Sequence, residues 1–283
     1  MKICISAEST IDLPEDLLKK YDIHTLPFTV LLGETALLDG QFPPIDIINF
    51  VQKTKKLPKT SAVNEAQYEQ YFTELHKNYD YIIHISLSSE ISSACENARK
   101  VAKRSKNITI IDSRSLSTGI ALLAIYAAKL RDNKYKPQDI VHSVEARIPS
   151  LQVSFILERL DYLYKGGRCS SLAYFGANIL GIKPEILVTD GKMHSGKKFR
   201  GKWNDAVIKY CEDILGKFNT PDREEVFITY TTADNEVVQN VRNLLKSKGF
   251  KNIHVTNAGA TITSHCGEHC LGILYINDGK TAI

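Results

Sequence analysis

Short apolar, β-branched runs alternate with longer segments whose apolar residues recur at helical spacing, along almost all of the 283-residue chain. The run from Lys2 to Ser6 reads as a strand. DLPEDLLKKY follows, with Asp12 as a helix cap, Pro14 in the first turn and leucines at Leu17 and Leu18. HTLPFTVLL is extended, IDIINFVQK is amphipathic behind Asp46, and NEAQYEQYFTELHK opens with Asn64 and Gln67 at capping-box spacing. YDYIIHIS, NITIID, VSFIL, EILVTD, EVFITYT and LGILYI read as further strands, with helical patterns at 93–104, 117–131, 137–147, 204–216 and 234–248 between them. This alternation predicts an α/β protein with mostly parallel sheets flanked by helices. The length fits about two domains. The boundary falls near Pro149, separating an N-terminal α/β domain (1–150) from a C-terminal one (151–283).

Composition narrows the function. The charge of +4, from 36 Lys and Arg against 32 Asp and Glu, is small and not clustered, so nucleic acid is not an expected partner. Six cysteines, Cys4, Cys95, Cys169, Cys211, Cys266 and Cys270, lack disulfide-framework spacing, and the start lacks a long apolar leader core. The apolar run Gly119 to Ala128 is about half of what a membrane span needs. A soluble protein of the reducing cytoplasm is expected.

Several constellations could carry chemistry. Hydroxyl-rich turns follow strands at Ser9-Thr10, Thr60-Ser61, Ser88-Ser89 and Ser92-Ser93. In parallel α/β sheets, ligands sit beyond the carboxyl ends of strands, where hydroxyls and free amides suit a carboxylate or phosphate. Plain N-capping explains the same serines. GKMHSGKK fits G-x-x-x-x-G-K, but Lys198 stands where magnesium needs a Ser or Thr. Its Asp190-Gly191 start reads as a hairpin turn, so nucleotide binding is rejected. His265-Cys266-Gly267-Glu268-His269-Cys270 concentrates soft ligands, yet no second Cys/His cluster exists to complete a zinc site. Gly166-Gly167-Arg168 places a guanidinium in a glycine turn, suited to a carboxylate or simply to solvent. No G-x-S-x-G elbow accompanies Ser92 and His265.

Taken in order, these pieces resemble the DegV family. Glu8-Ser9-Thr10-Ile11-Asp12-Leu13-Pro14 is similar to its D-S-T-x-D-L-P opening, Pro58-Lys59-Thr60-Ser61 to its P-x-T-S turn, and Ser88 to Ser93 to its S-S-x-L-S-G segment. Asp112-Ser113 with Ser117-Thr118-Gly119, Gly166-Gly167-Arg168, Ile182-Lys183-Pro184 and Ser264-His265-Cys266-Gly267 resemble the motifs that follow. The resemblance spans the chain and implies a two-domain, non-catalytic bacterial carrier. Such a carrier holds one long-chain free fatty acid at the domain interface and presents its carboxylate to a partner fatty acid kinase, which makes an acyl-phosphate for phospholipid synthesis. It implies no cofactor and no metal, and it leaves room for transient contact with a membrane surface.

Carried over residue by residue, Thr60, Ser92 and His265 would hold the carboxylate. Ser61, Ser93, Arg168 and Arg200 would form the polar mouth or face the partner. Apolar residues of the second half, Phe155, Ile156, Leu157, Phe175, Ile179, Ile228 and Ile262, are candidates for the acyl tunnel or for ordinary core. Glu8 replaces the family Asp, Ser93-Ala94 replaces Gly-Thr, and Gly267-Glu268-His269 stands where Gly-Pro-Gly is expected. A buried Glu268 would repel an acyl carboxylate. The rivals are an enzyme acting on an acyl or phosphoryl substrate through Ser92 and His265, and a metal or redox module at His265 to Cys270.

Overall fold

Strand β1 (Ile3–Glu8) is buried on both faces, the expected state of a central parallel strand. It pairs in parallel with β2 (Ile23–Leu26) and β6 (Tyr81–Ser86), and β6 pairs in parallel with β7 (Ile108–Asp112). The computed structural model, which describes residues 1–169 and 181–280, thus has a four-stranded parallel sheet in its first half. Beside it lies a three-stranded antiparallel sheet of β3 (Thr29–Leu32), β4 (Thr35–Leu38) and β5 (Lys59–Ser61).

The second half builds a six-stranded sheet, ordered β10-β9-β8-β13-β11-β12. Its members are β8 (Leu151–Leu157), β9 (Ile182–Thr189), β10 (Lys192–Arg200), β11 (Glu225–Tyr230), β12 (Asn252–Asn257) and β13 (Cys270–Ile276). The α/β class holds. The expectation of mostly parallel sheets narrows, because within this sheet parallel pairing is confined to β11–β12. The Asp190-Gly191 hairpin turns β9 directly back as β10, with φ of +50° and +80°, as the primed turn requires. GKMHSGKK is therefore mostly strand rather than a phosphate loop.

Helices α1 (Glu15–Tyr21), α2 (Ile45–Thr54), α3 (Glu65–Leu75), α4 (Ala94–Ala102), α5 (Thr118–Asp132) and α6 (Pro137–Arg147) belong to the first half. The capping box on α3 is present: Gln67 N–H donates to Asn64 Oδ1 at 3.0 Å and Asn64 N–H to Gln67 Oε1 at 2.9 Å. The long apolar run forms α5, which packs against β1 and β6 on one side and β8, β11 and β13 on the other. A helix that is apolar all round belongs between two sheets. One core therefore runs from the parallel sheet through α5 to the near face of the six-stranded sheet. The far face packs under α8 (Trp203–Lys217) and α9 (Asn235–Ser247).

Two short helices were not expected: α7 (Asp161–Gly166) and α10 (Ala260–Cys266). The second is rich in Thr and β-branched residues, with glycines at each end, so its composition hides it. Among the described residues, no helix is long and apolar enough to cross a membrane.

Candidate functional site

The candidate site is a cavity of about 270 Å³ reached from both halves of the chain. Thr60 enters it from β5, Ser92 and Ser93 from the turn before α4, Arg168 from the turn after α7, and His265 from the last turn of α10. Phe155 and Ile262 line it, joined by Leu87, Ile91, Leu163 and Leu274. Residues dispersed over more than two hundred positions thus meet in one cavity lined by both hydroxyl-bearing and apolar side chains.

The central contact is Thr60 Oγ1 to His265 Nε2, at 2.8 Å. It joins the small antiparallel sheet to the second half of the chain. His265 Nδ1 is sealed from solvent without a partner among the described residues, and a Cβ built on Gly166 would lie 2.7 Å from it. The close approach of backbone to imidazole is why this turn begins with glycine. Burial, reinforced by the positive charge of Arg168, lowers the imidazole pKa to about 4. His265 is therefore neutral at pH 7, with one ring nitrogen donating and one accepting. Arg168 lines the cavity and is exposed, and its guanidinium donates to Gly166 O.

Ser92 Oγ accepts from Ala94 N–H at 3.2 Å, so it does serve the start of α4 while lining the cavity. It makes no hydrogen bond to His265 among the described residues, and no carboxylate meets His265 Nδ1. Among the described residues, Ser92, His265 and an orienting carboxylate are not joined as the triad of a hydrolase would be.

Several expected tunnel residues lie elsewhere. Ile156 and Ile228 are packed in the far-face core under α8 and α9, since alternate residues of a strand point to opposite faces. Leu157 is buried in the near core without lining the cavity. Arg200 ends β10, exposed and away from the cavity lining, so of its two expected roles the mouth falls away. Phe175 and Ile179 lie outside the described residues.

The closing loop also departs from expectation. Glu268 does not face the cavity but pairs with Arg159 at 3.3 Å beside the exposed end of α7. His269 turns to Glu158 and lies against Trp203, with ring centroids 5.6 Å apart. Gly267 has φ +71°, and a Cβ there would enter the Tyr162 ring at 2.6 Å. Cys266 and Cys270 line the cavity as buried thiols. The ligand-rich hexapeptide is thus dispersed, and among the described residues no group of three or more His, Cys, Asp or Glu side chains could hold a metal ion.

Sequence reasoning missed what positions α10. Asp12 does not cap the helix that follows it, whose N-cap is Pro14. Asp12 Oδ1 instead accepts Gly259 N–H at 2.8 Å, and its other oxygen accepts Ser117 Oγ–H. Asp39 accepts Ala260 N–H at 2.8 Å, Thr261 N–H at 3.2 Å and Ser9 Oγ–H at 3.0 Å. Two carboxyls from the first half therefore hold the start of the helix that carries His265. Glu8 anchors the cavity wall from the other side by accepting Leu87 N–H at 2.9 Å.

Comparison with known proteins agrees with this architecture. A DegV domain-containing protein of Clostridium acetobutylicum is 30% identical over 283 residues, covering 97% of this chain and 98% of that one. A protein of Thermotoga maritima named fatty acid-binding protein is 26% identical, with 96% of each chain covered. The solved structure of a DegV family protein from Thermus thermophilus, described for its fatty acid binding, superposes with a TM-score of 0.90 at 22% identity, over 98% of this chain and 100% of that chain. With a family model described as "Uncharacterised protein, DegV family" matching residues 2–278, the chain belongs to the DegV family.

Proposed function

We propose that this protein carries one long-chain fatty acid, with the carboxylate at Thr60, Ser92 and His265 and the chain in the cavity behind them. The observation that carries the reading is the neutral His265–Thr60 pair in the wall of a cavity that also presents Phe155, Leu87, Ile91, Leu163, Ile262 and Leu274. A carboxylate cannot be buried without donors. The Thr60 and Ser92 hydroxyls supply them, His265 Nε2–H joins when the carboxylate takes the place of its bond to Thr60, and Arg168 contributes positive charge. Burial of about fourteen methylenes at ~0.8 kcal/mol each contributes on the order of 11 kcal/mol before ordering costs. The name of the Thermotoga maritima relative supports the same ligand class.

In this reading residues 1–150 and 151–283 act as two units, each contributing part of the carboxylate site. The protein is a non-catalytic subunit: it presents the acyl carboxylate to a fatty acid kinase, and Arg168, Ser61, Ser93 and the exposed Arg200 face that partner. Native mass spectrometry followed by denaturing extraction tests the carrier step. One fatty acid per chain is expected; a protein that is empty and fails to take up palmitate or oleate overturns it. Replacing His265 by Ala removes a hydrogen bond to a charged group and should weaken binding about ten- to a hundredfold by titration calorimetry. The kinase step predicts acyl-phosphate only when kinase, ATP, fatty acid and this protein are combined.

A further inference from the structure

The tip of the β9–β10 hairpin reaches across to the first half of the chain. Ser88 Oγ–H donates to Gly191 O at 2.8 Å, and the Arg114 guanidinium donates to Asp190 O. The exposed Glu90 pairs with Arg114 at 3.2 Å and with Lys192 at 3.3 Å. The approach is close: a Cβ built on Gly191, where φ is +80°, would lie 2.5 Å from Ser88 Oγ and 3.0 Å from the Arg114 guanidinium. Glycine satisfies both the turn and the contact.

Ser88, Arg114 and Gly191 do not line the cavity, yet the contact is tied to its walls on both sides. Ser88 O accepts Ile91 N–H at 3.0 Å and Ser92 N–H at 3.1 Å, so the residue that grips Gly191 also shapes the turn carrying Ser92. On the hairpin, Met193 lines the cavity two residues beyond Gly191, and its carbonyl accepts from the Cys169 thiol, next to Arg168, at 3.4 Å. A chain of contacts thus joins the hydroxyl of one half to the guanidinium of the other. Ser92 Oγ accepts Ala94 N–H, which leaves its own O–H to donate. A hydrogen bond weakens steeply when misdirected, so the placing of this turn matters to a carboxylate.

We infer that Ser88, Arg114 and Gly191 are positioning residues: the docked hairpin tip sets the Ser92 turn in the geometry that receives the carboxylate, and so governs the preference for an acid head group. The inference rests on the carrier reading and deepens it. Displacing the turn acts on the head group, whereas a general loosening of the cavity walls acts on the chain and weakens acids and alcohols alike.

The test measures the affinity of the full-length protein for palmitate or oleate, whichever binds tighter, and for the alcohol of the same chain, by displacement of a fluorescent fatty acid. The acid-over-alcohol preference should fall about threefold in Ser88→Ala and in Arg114→Gln, and about tenfold in Gly191→Ala. The Ser88→Ala/Gly191→Ala double variant should lose no more than Gly191→Ala, because both changes break one contact. A preference unchanged in Ser88→Ala, or losses that add in the double variant, overturns the positioning role and leaves the carrier reading intact. Ser88→Ala removes one oxygen and keeps the carbonyl that holds Ser92, so the test does not depend on Gly191→Ala folding. A wild-type protein that binds neither palmitate nor oleate overturns the carrier reading, and this inference with it.

Discussion

Glu8 and Asp12 flank one short 3₁₀ turn (Ser9–Ile11), are both buried, and are held in opposite charge states. Burial pushes the Glu8 carboxyl up, but the charge of His84 and hydrogen bonds from His84, Ser86 and Tyr68 outweigh it and hold the pKa below the usual carboxylate value. His84 Nε2 lies 3.1 Å from Glu8 Oε1, and Ser86 Oγ donates at 2.6 Å. Asp12 has no cation beside it among the described residues. Burial raises it, hydrogen bonds from Ser117 and Gly259 oppose the rise, Asp39 adds like-charge repulsion, and the pKa settles at about 8. Burial alone therefore does not decide the charge of a carboxyl; the neighbours do. The ionised group stays within the first half of the chain, whereas the protonated one reaches across to α10.

The comparison breaks most readily at Glu8. Glu8→Ala leaves buried His84 Nε2 without its partner, together with Tyr68 O–H, Ser86 O–H and Leu87 N–H, and should cost about 3–5 kcal/mol in urea unfolding. A loss under about 1 kcal/mol would mean that the network carries little stability. Asp39→Ala strips two helix N–H groups of their acceptor and should cost about 2 kcal/mol. It should also bring the Asp12 pKa down, which carboxyl-detected NMR titration can follow.

The pH dependence sharpens the contrast, because the two groups give opposite slopes. The folded-state pKa of Asp12 is raised, so its contribution to stability is fully present below about pH 4 and is lost as pH rises to about 8. The Glu8 value is depressed, so its contribution is present above the ordinary carboxylate pKa and is lost as pH falls through the depressed one. Asp12→Asn should remove the first slope, at most about 1.4 kcal/mol per pH unit, in unfolding curves between pH 4 and 8. Identical pH profiles for wild type and variant would show that Asp12 is ionised throughout. The smallest effect is expected at Glu268→Gln, within about 0.5 kcal/mol, since its ion pair with Arg159 is solvent-accessible.

Much of the fold follows from local chemistry. Asn64 and Gln67 close their capping box, and Asp190-Gly191 makes its hairpin, because each acts within a few residues. The β-branched runs become strands for the same reason. The small set of cavity residues that matched family motifs, Thr60, Ser92, Arg168 and His265, was also readable in order. What could not be read was orientation and partnership. Ile156 and Ile228 are as apolar as Phe155, but strand register turns them to the opposite face. Glu268 looked like a threat to a bound carboxylate until the loop turned it to Arg159.

The sequence by itself determined the α/β class, most element positions and the residue types gathered at the site, because periodicity, caps and turns are short-range properties. The tertiary structure alone decided that Thr60 meets His265 and that Asp12 and Asp39 grip α10 rather than a neighbouring helix. Those outcomes depend on packing between segments roughly two hundred residues apart, where sheet register and desolvation, not local propensity, set which groups are paired.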